Sequence, residues 1–524
     1  MSTPGAYFRL LRAGWILARE GVFAALPGDQ LTGPAHLAWR LSRLVARRRS
    51  KDDSRSARMS KAVDRLGPSY VKLGQFLATR PDVVGADVAM DLAELQDRMS
   101  TFPRDVAITS IEESLGRKLD DLFISFGEPI AAASIAQVHP ADIERDGLPT
   151  KVAVKAIRPG VRRRFYNDLE SYFLAARLQE RFMPSSRRLR PVEVTKTLAQ
   201  TTKIEMDLRL EAAALSELGE NIRQDPGFRV PWVDWERTGR DVLTMEWIDG
   251  IKMSNIEALR EAGHDLNALS VTVIQSFLRH TLRDGFFHAD MHPGNLFVEA
   301  DGTIVAVDFG IVGRLGKKER RFLAEILYGF IRRDYLRVAE VHFEAGYVPP
   351  IHDVHAFAQA IRAIGEPIHG QPAETISMAR LLALLFEVTE IFDMQARPEL
   401  VLLQKTMVVV EGVARNLNPS FNMWKAAEPV VGDWIQGNLG PRGFLEDTRD
   451  GALALVSLAR QAPELAARAE RLSREIDTMA EKGLRFDEET AEAIGKSEAR
   501  HSRSGRIALW VIAATLIWIA LQMG

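Results

Sequence analysis

One stretch constrains this chain more than any other: FFHADMHPGNLFVEADGTIVAVDFG, from Phe286 to Gly310. Asp290 is followed five residues later by Asn295 and eighteen later by Asp308, which opens Asp-Phe-Gly. Hard oxygen donors at such offsets suit a magnesium ion that also binds phosphate. Phosphoryl transfer of the kinase type needs an Asp to orient the nucleophile, an Asn five residues on for magnesium, and a DFG Asp bridging metal to phosphates. Asp290 is therefore the candidate catalytic residue, and Asn295 and Asp308 are the candidate metal ligands. The Pro293-Gly294 turn should fold Asn295 back toward Asp290, and a strand over 303–308 should deliver Asp308. His288 and His292 have the i, i+4 spacing of a helical zinc pair. Pro293 and Gly294 break any helix there and a third ligand is missing, so the histidines are expected to orient the loop by hydrogen bonds.

The partner elements should lie upstream. Residues 151–157 (KVAVKAI) read as a strand, within which Val152-Ala153-Val154-Lys155 matches the V-A-I-K strand whose lysine holds the α- and β-phosphates. Glu211, in KIEMDLRLEAAAL, is the carboxylate chosen to fix Lys155. Asp207 lies one turn before it on the same helical face, and Glu205 and Arg209 form a second i, i+4 pair on another face. The segment that should cover the phosphates is Ile130, Ala131, Ala132, Ala133, Ser134, Ile135, Ala136, Gln137 and Val138. Alanine there replaces glycine and forbids the φ > 0 conformations glycine allows, so the loop should be stiff. Adenine is expected against residues 244–247, with Met245, Glu246 and Trp247 as contacts. No G-x-x-x-x-G-K-[ST] exists, because Gly316-Lys317 is followed by Lys318, which excludes the P-loop class.

Lys+Arg 68 against Asp+Glu 70 gives a net charge of −2, so no basic field points to nucleic acid. With no cysteine, thiolate metal sites, disulfides and cysteine nucleophiles are excluded. Helical patterning from Met59 onward breaks at Gly67-Pro68, Arg80-Pro81 and Phe102-Pro103. A strand-like run at 242–248, an irregular stretch at 286–298 and mostly helical periodicity from 317 to about 485 follow. The expected division is an amphipathic helix and linker over 1–58, a helical extension over 59–125, an N-lobe over 126–250, a C-lobe over 251–430, and a helical segment over 431–506. The N-terminal helix, interrupted by Arg9, Arg12, Arg19 and Glu20, suits either a membrane surface or packing on the body, with packing the expectation. Residues 507–523 (IALWVIAATLIWIALQM) hold only Thr515 and Gln522 as polar members. At 1.5 Å per residue they reach roughly 25 Å, the short end of a spanning helix. Arg500, His501, Arg503 and Arg506 precede them and place that flank in the cytoplasm.

With these residues assembled, the chain resembles the UbiB / ADCK family of atypical kinase-like proteins, linked to ubiquinone biosynthesis. Lys72-Leu73-Gly74-Gln75 is similar to the family's KxGQ signature, and Ala131-Ala132-Ala133-Ser134 to its Ala-rich loop. Glu205-Met206-Asp207 is similar to its ExD motif, and residues 288–295 to its catalytic loop. The resemblance runs from about residue 60 to 430. It departs at Ser100, where relatives often have proline, and at the C-terminus, where bacterial relatives often have two spans.

The resemblance implies a two-lobed, protein-kinase-like α+β fold with an N-terminal KxGQ helical extension and a C-terminal transmembrane helix. It implies ATP and Mg2+ as cofactors, and Lys72, Gly74, Gln75, Glu205 and Asp207 as a regulatory set over the cleft. The implied partners are membrane lipid, quinone precursors and other ubiquinone-biosynthesis proteins, at the bacterial inner membrane, with a homodimer left open. An enzyme of this class transfers or hydrolyses the γ-phosphate of ATP. The alternative is a nucleotide-regulated pseudokinase scaffold for a quinone-biosynthesis complex.

Overall fold

The computed structural model describes residues 4–22, 55–78, 101–182, 190–370, 391–394 and 398–439, with a few single positions between them. The chain divides into two compact units, Met1–Gln436 and Gly437–Gly524, and only the first three residues of the second are among those described. The run at 507–523, nearly all of 431–506 beyond residue 439, and most of the 43–58 linker lie outside the described residues. Among the described residues, no helix is long and apolar enough to cross a membrane.

The N-terminal helix Pro4–Arg19 packs on the body, the expected one of the two placements its patterning allows. It buries Ala6 and Ala13, and Arg9 reaches Ser171 (3.2 Å) and Glu170 (2.8 Å) on the helix Val161–Phe182. Helices Arg55–Leu66 and Pro68–Ala78 meet at Gly67, whose φ of 102° lies where a side chain would be strained. Pro68 then opens the second helix, where its missing N–H costs nothing. The expected breaks at Gly67-Pro68 and Phe102-Pro103 are both present, the latter starting helix Arg104–Leu115.

A five-stranded sheet forms the smaller lobe. Strands Ser125–Phe126, Ala136–Arg145, Leu148–Ile157 and Val242–Glu246 follow one another in antiparallel order, and Ala131–Ala132 also pairs with Ala136–Arg145. Asp146 (φ 54°) and Gly147 (φ 77°) make the tight hairpin turn between the two long strands, the Asp-Gly pair that a two-residue turn of this hand favours. Alternation along Leu148–Ile157 then decides the site. Val152, Val154 and Ala156 pack with Ile111, Phe126 and Val242. Ala153 and Ile157 belong to the other core with Leu215 and Leu243, and Lys155 shares their face.

The sequence reads as one helix from 192 to 218, but the structure holds two, Pro191–Glu205 and Leu208–Asn221. Asp207 caps the second by accepting from the Arg209 N–H at 3.2 Å, while the Leu208 N–H donates to the Arg240 carbonyl. Asp207 therefore pairs with Arg209 (2.7 Å), not with the cleft, and Glu205 is buried rather than paired with Arg209.

In the larger lobe, helix Leu266–Arg279 continues as a π turn, His280–Asp284, that ends at Gly285. Gly285 has φ 66° and a Cβ there would meet the Leu315 carbonyl at 2.5 Å, so only glycine fits. The stretch expected to be irregular contains two strands, Phe286–His288 paired with Val312–Arg314, and Leu296–Val298 paired with Ile304–Ala306. Helices Lys317–Arg332, Tyr335–Glu344, Val354–Gly370, Pro398–Leu417 and Met423–Asn438 complete it.

Candidate active site

Lys155 stands at the centre of the cleft. Its Nζ donates to both Glu211 oxygens (2.7 and 3.0 Å) and to Asp308 Oδ1 (2.8 Å). Burial opposes the ammonium, but Asp308 and Glu211 together overcome it and hold Lys155 protonated beyond the ordinary lysine range. Lys155, in turn, holds the Asp308 carboxyl well below the usual carboxylate range against the opposing effect of burial. Burial pushes Glu211 up, and Lys155 offsets part of that rise. Asp308 keeps 41% of its side chain exposed while Glu211 keeps 5%, so the DFG carboxylate faces the open cleft and the helix carboxylate does not. Asp308 also sits at φ 64°, a left-handed conformation that costs a non-glycine residue about 1–3 kcal/mol and persists only where surroundings impose it.

The catalytic loop is tied to this cluster as the spacing implied. Asn295 Nδ2 donates to the Asp290 carbonyl at 3.1 Å, closing the turn through Pro293-Gly294. The strand Ile304–Ala306 brings Asp308 alongside, with the Val307 N–H donating to the Asn295 carbonyl. Both histidines orient the loop. His288 Nδ1 accepts from the Asp290 N–H (3.1 Å) while Nε2 bonds the Val307 carbonyl (3.1 Å), and His292 Nδ1 accepts from the Gly294 N–H (3.1 Å). His288 lies wholly buried beside Phe309, and burial lowers its pKa, so the ring is neutral. Asn295 Oδ1 and Asp308 Oδ2 have no hydrogen-bond partner among the described residues. Two uncommitted hard oxygens fit a magnesium ion that takes its remaining ligands from phosphate and water.

The phosphate-covering segment is a short hairpin. Ala131–Ala132 pairs with Gln137 and Val138, and the Ala133 N–H donates to the Ala136 carbonyl at 2.8 Å. None of its residues has positive φ, so alanine meets no backbone conflict. Gln137, named as a nucleotide contact, turns its side chain inward: it bonds Phe102 N and O and His139. In the connection at 244–247, Met245 is buried and pairs with Ala153. Glu246 is held by Arg229 (2.9 Å), and Trp247 lies under Lys151 at 3.8 Å. Of the side chains expected to touch adenine, Glu246 is thus committed elsewhere, leaving its backbone.

The regulatory set is brought together only in part. Lys72 pairs with buried Glu205 at 2.5 Å, while Asp207 turns to Arg209. Sequence reasoning missed Thr406, whose buried hydroxyl lies 3.1 Å from the Ala289 carbonyl, 117 residues away, and 2.8 Å from the Leu402 carbonyl of its own helix, two acceptors that share its one proton. No local signal marks such a threonine on a helix.

The ABC1 atypical kinase-like domain matches residues 94–342, and the UbiB helical domain matches 361–422. A Marinobacter nauticus protein called "Probable protein kinase UbiB" is 39% identical over 462 residues, covering 87% of this chain and 83% of its own length. Proteins of the same name from Aeromonas salmonicida (39% over 468 residues, 88% and 85%) and Pseudomonas aeruginosa (40% over 405 residues, 76% and 75%) match likewise. A solved complex with erythromycin from Mycobacterium tuberculosis aligns with 73% of this chain and 98% of its own, at 25% identity and a TM-score of 0.48. A cleft with the lysine, paired carboxylates and loop of a kinase, followed by the family's own helical domain, leaves one conclusion: the chain belongs to the UbiB family of ABC1 atypical kinase-like proteins.

Proposed function

We propose that this chain is an ATP-dependent phosphotransferase or ATPase that supports ubiquinone biosynthesis at the bacterial inner membrane. One observation carries the reading: Lys155 Nζ lies between Glu211 and Asp308, with Asn295 bonded to Asp290 in the adjoining loop. Lys155 would hold the α- and β-phosphates, and Glu211 keeps it aimed. Asn295 and Asp308 would hold magnesium, which supplies charge neutralisation across the β- and γ-phosphates. Asp290 orients the attacking hydroxyl or water, and His288 fixes the loop that carries it. Little covalent chemistry falls to the protein, so positioning and charge do most of the work.

The membrane assignment rests on the 507–523 run and the basic residues before it, with quinone precursors and other biosynthetic proteins as partners by family resemblance. Steady-state phosphate release from MgATP, with and without vesicles and a phenolic quinone precursor, tests the whole reading. Release that is stimulated by both additions supports it. Nucleotide binding with no turnover under any condition would favour the scaffold, for which the stiff alanine hairpin speaks.

A further inference from the structure

Asn295 and Asp308 flank one hairpin, whose strands are Leu296–Val298 and Ile304–Ala306. That hairpin is the middle of a four-stranded sheet. Phe228–Arg229 pairs with Ile304–Ala306 on one side, and Ile251–Lys252 pairs with Leu296–Val298 on the other. Ile251–Lys252 is the first strand after the 244–247 connection expected to meet adenine. Gly250, just before it, lies so close to the hairpin that a Cβ would meet the Val298 carbonyl oxygen at 2.9 Å. The sheet thus joins the adenine end of the cleft to the metal end.

One side chain bridges the two ends directly. The Arg229 guanidinium donates through Nε and Nη2 to Glu299 (2.8 and 2.6 Å), which directly follows strand Leu296–Val298. Through Nη1 and Nη2 it donates to Glu246 (2.9 and 3.0 Å), the last residue of strand Val242–Glu246. Glu246 also accepts from the Trp232 N–H at 3.2 Å. All three charged side chains are partly buried. A single exposed ion pair contributes little. A planar fork shared by two carboxylates does more, because each parallel pair of hydrogen bonds fixes orientation as well as distance.

We propose that Arg229 is a positioning residue for the nucleotide: by joining Glu246 to Glu299 it fixes the 244–247 connection against the hairpin that carries Asn295 and Asp308. This rests on the nucleotide cleft of the reading above. A nucleotide has a set length, so the surface that meets its base and the oxygens that hold its metal must stay in register. Small misplacements of such a pair are costly, because both ends must be met at once. Arg229 acts through its two glutamates. Without the guanidinium between them, two carboxylates would face each other and push the two ends of the cleft apart.

The test uses the full chain and compares wild type with Arg229→Met, which removes both forks, and Arg229→Lys, which keeps the charge without the planar fork. Calorimetry measures binding of MgATP and of magnesium tripolyphosphate, well below each unfolding midpoint. Tripolyphosphate occupies the metal end alone. The methionine variant should bind MgATP roughly tenfold more weakly while its tripolyphosphate affinity holds. Lysine should restore part of the MgATP loss. A merely structural role would lower Tm and leave both affinities alone. Unchanged MgATP affinity, or equal losses for the two ligands, would each overturn the assignment. Should the methionine variant fail to fold, Glu299→Gln, which removes one carboxylate at nearly constant shape, is read in the same way. Should wild type bind neither ligand, the nucleotide reading fails and Arg229 with it. Should wild type bind MgATP and the variants match it, that reading stands and only Arg229 is removed.

Discussion

Two buried lysine–carboxylate groups flank the helix break at residues 206–207, and they are built differently. In the inner one, Lys155 is shared between Glu211 and Asp308, and Asp308 remains open to the cleft. In the outer one, Lys72 and Glu205 are joined at 2.5 Å with 15% and 4% of their side chains exposed. The inner cluster has more negative charge than positive and one carboxylate facing the cleft, which is what the proposed roles in holding a cation and phosphate need. In the outer pair a lysine meets a carboxylate that faces away from the solvent. Opening it strands a buried charge unless a replacement arrives. The inner group is arranged to exchange partners, the outer to hold helix Pro68–Ala78 against helix Pro191–Glu205.

The largest expected effect would break the inner group. Asp308→Asn removes the charge at nearly constant shape, and turnover should fall at least about 100-fold, as when a charge-stabilising group is lost from a transition state. Nucleotide affinity should also lose its magnesium dependence. Retention of that dependence in titrations with and without the metal would show that Asp308 is not a ligand.

The next effect belongs to the outer group. Glu205→Gln removes the carboxylate that Lys72 meets at 2.5 Å, and urea unfolding should report about 3 kcal/mol of lost stability. The double variant Lys72→Met with Glu205→Gln should recover most of it. If it recovers nothing, the two residues are not energetically coupled and the contrast between the groups dissolves.

A smaller change sharpens the comparison. Asp207→Ala removes the cap of helix Leu208–Asn221 and should cost about 1 kcal/mol. A cost well above that, in the same unfolding measurement, would mean Asp207 does more than cap.

The gentlest effect is a slope. Burial lowers the pKa of His139, His280, His288 and His342, so each is neutral in the fold. The unfolded chain takes up protons at these rings near the ordinary value of 6.5, whereas the folded chain resists until lower pH. Their contribution is thus complete above about 6.5 and declines as pH falls toward the lowered folded values. The unfolding midpoint of the nucleotide-free protein should drop between pH 7 and 5. A flat profile would show that these rings are not held neutral, His288 beside the inner group included.

The inner group was legible because its chemistry is written in short spacings. Asp290, Asn295 and Asp308 are linked by one turn and one strand, and Lys155 lies within the strand Leu148–Ile157. The outer group entered only through family resemblance, since nothing in the local pattern around Lys72 or Glu205 says that they meet. The helix break was invisible for a related reason. The periodicity of 192–218 runs through Met206 and Asp207 without glycine or proline, and what ends the first helix is a distant carbonyl, Arg240, bonding the Leu208 N–H. Gln137 misled in the same way, being drawn inward by Phe102 and His139.

The sequence by itself determined the lobe order, the strand that carries Lys155, the breaks at Gly67 and Pro103, and the magnesium-type donor set, because each depends on residues within a few turns of one another. Tertiary structure alone decided that Lys72 answers Glu205, that Gln137 turns inward to Phe102, and that Thr406 lies against the Ala289 carbonyl. Those outcomes turn on desolvation and on contacts across many tens of residues, and a charge's partner is chosen by whatever the packed fold leaves within reach.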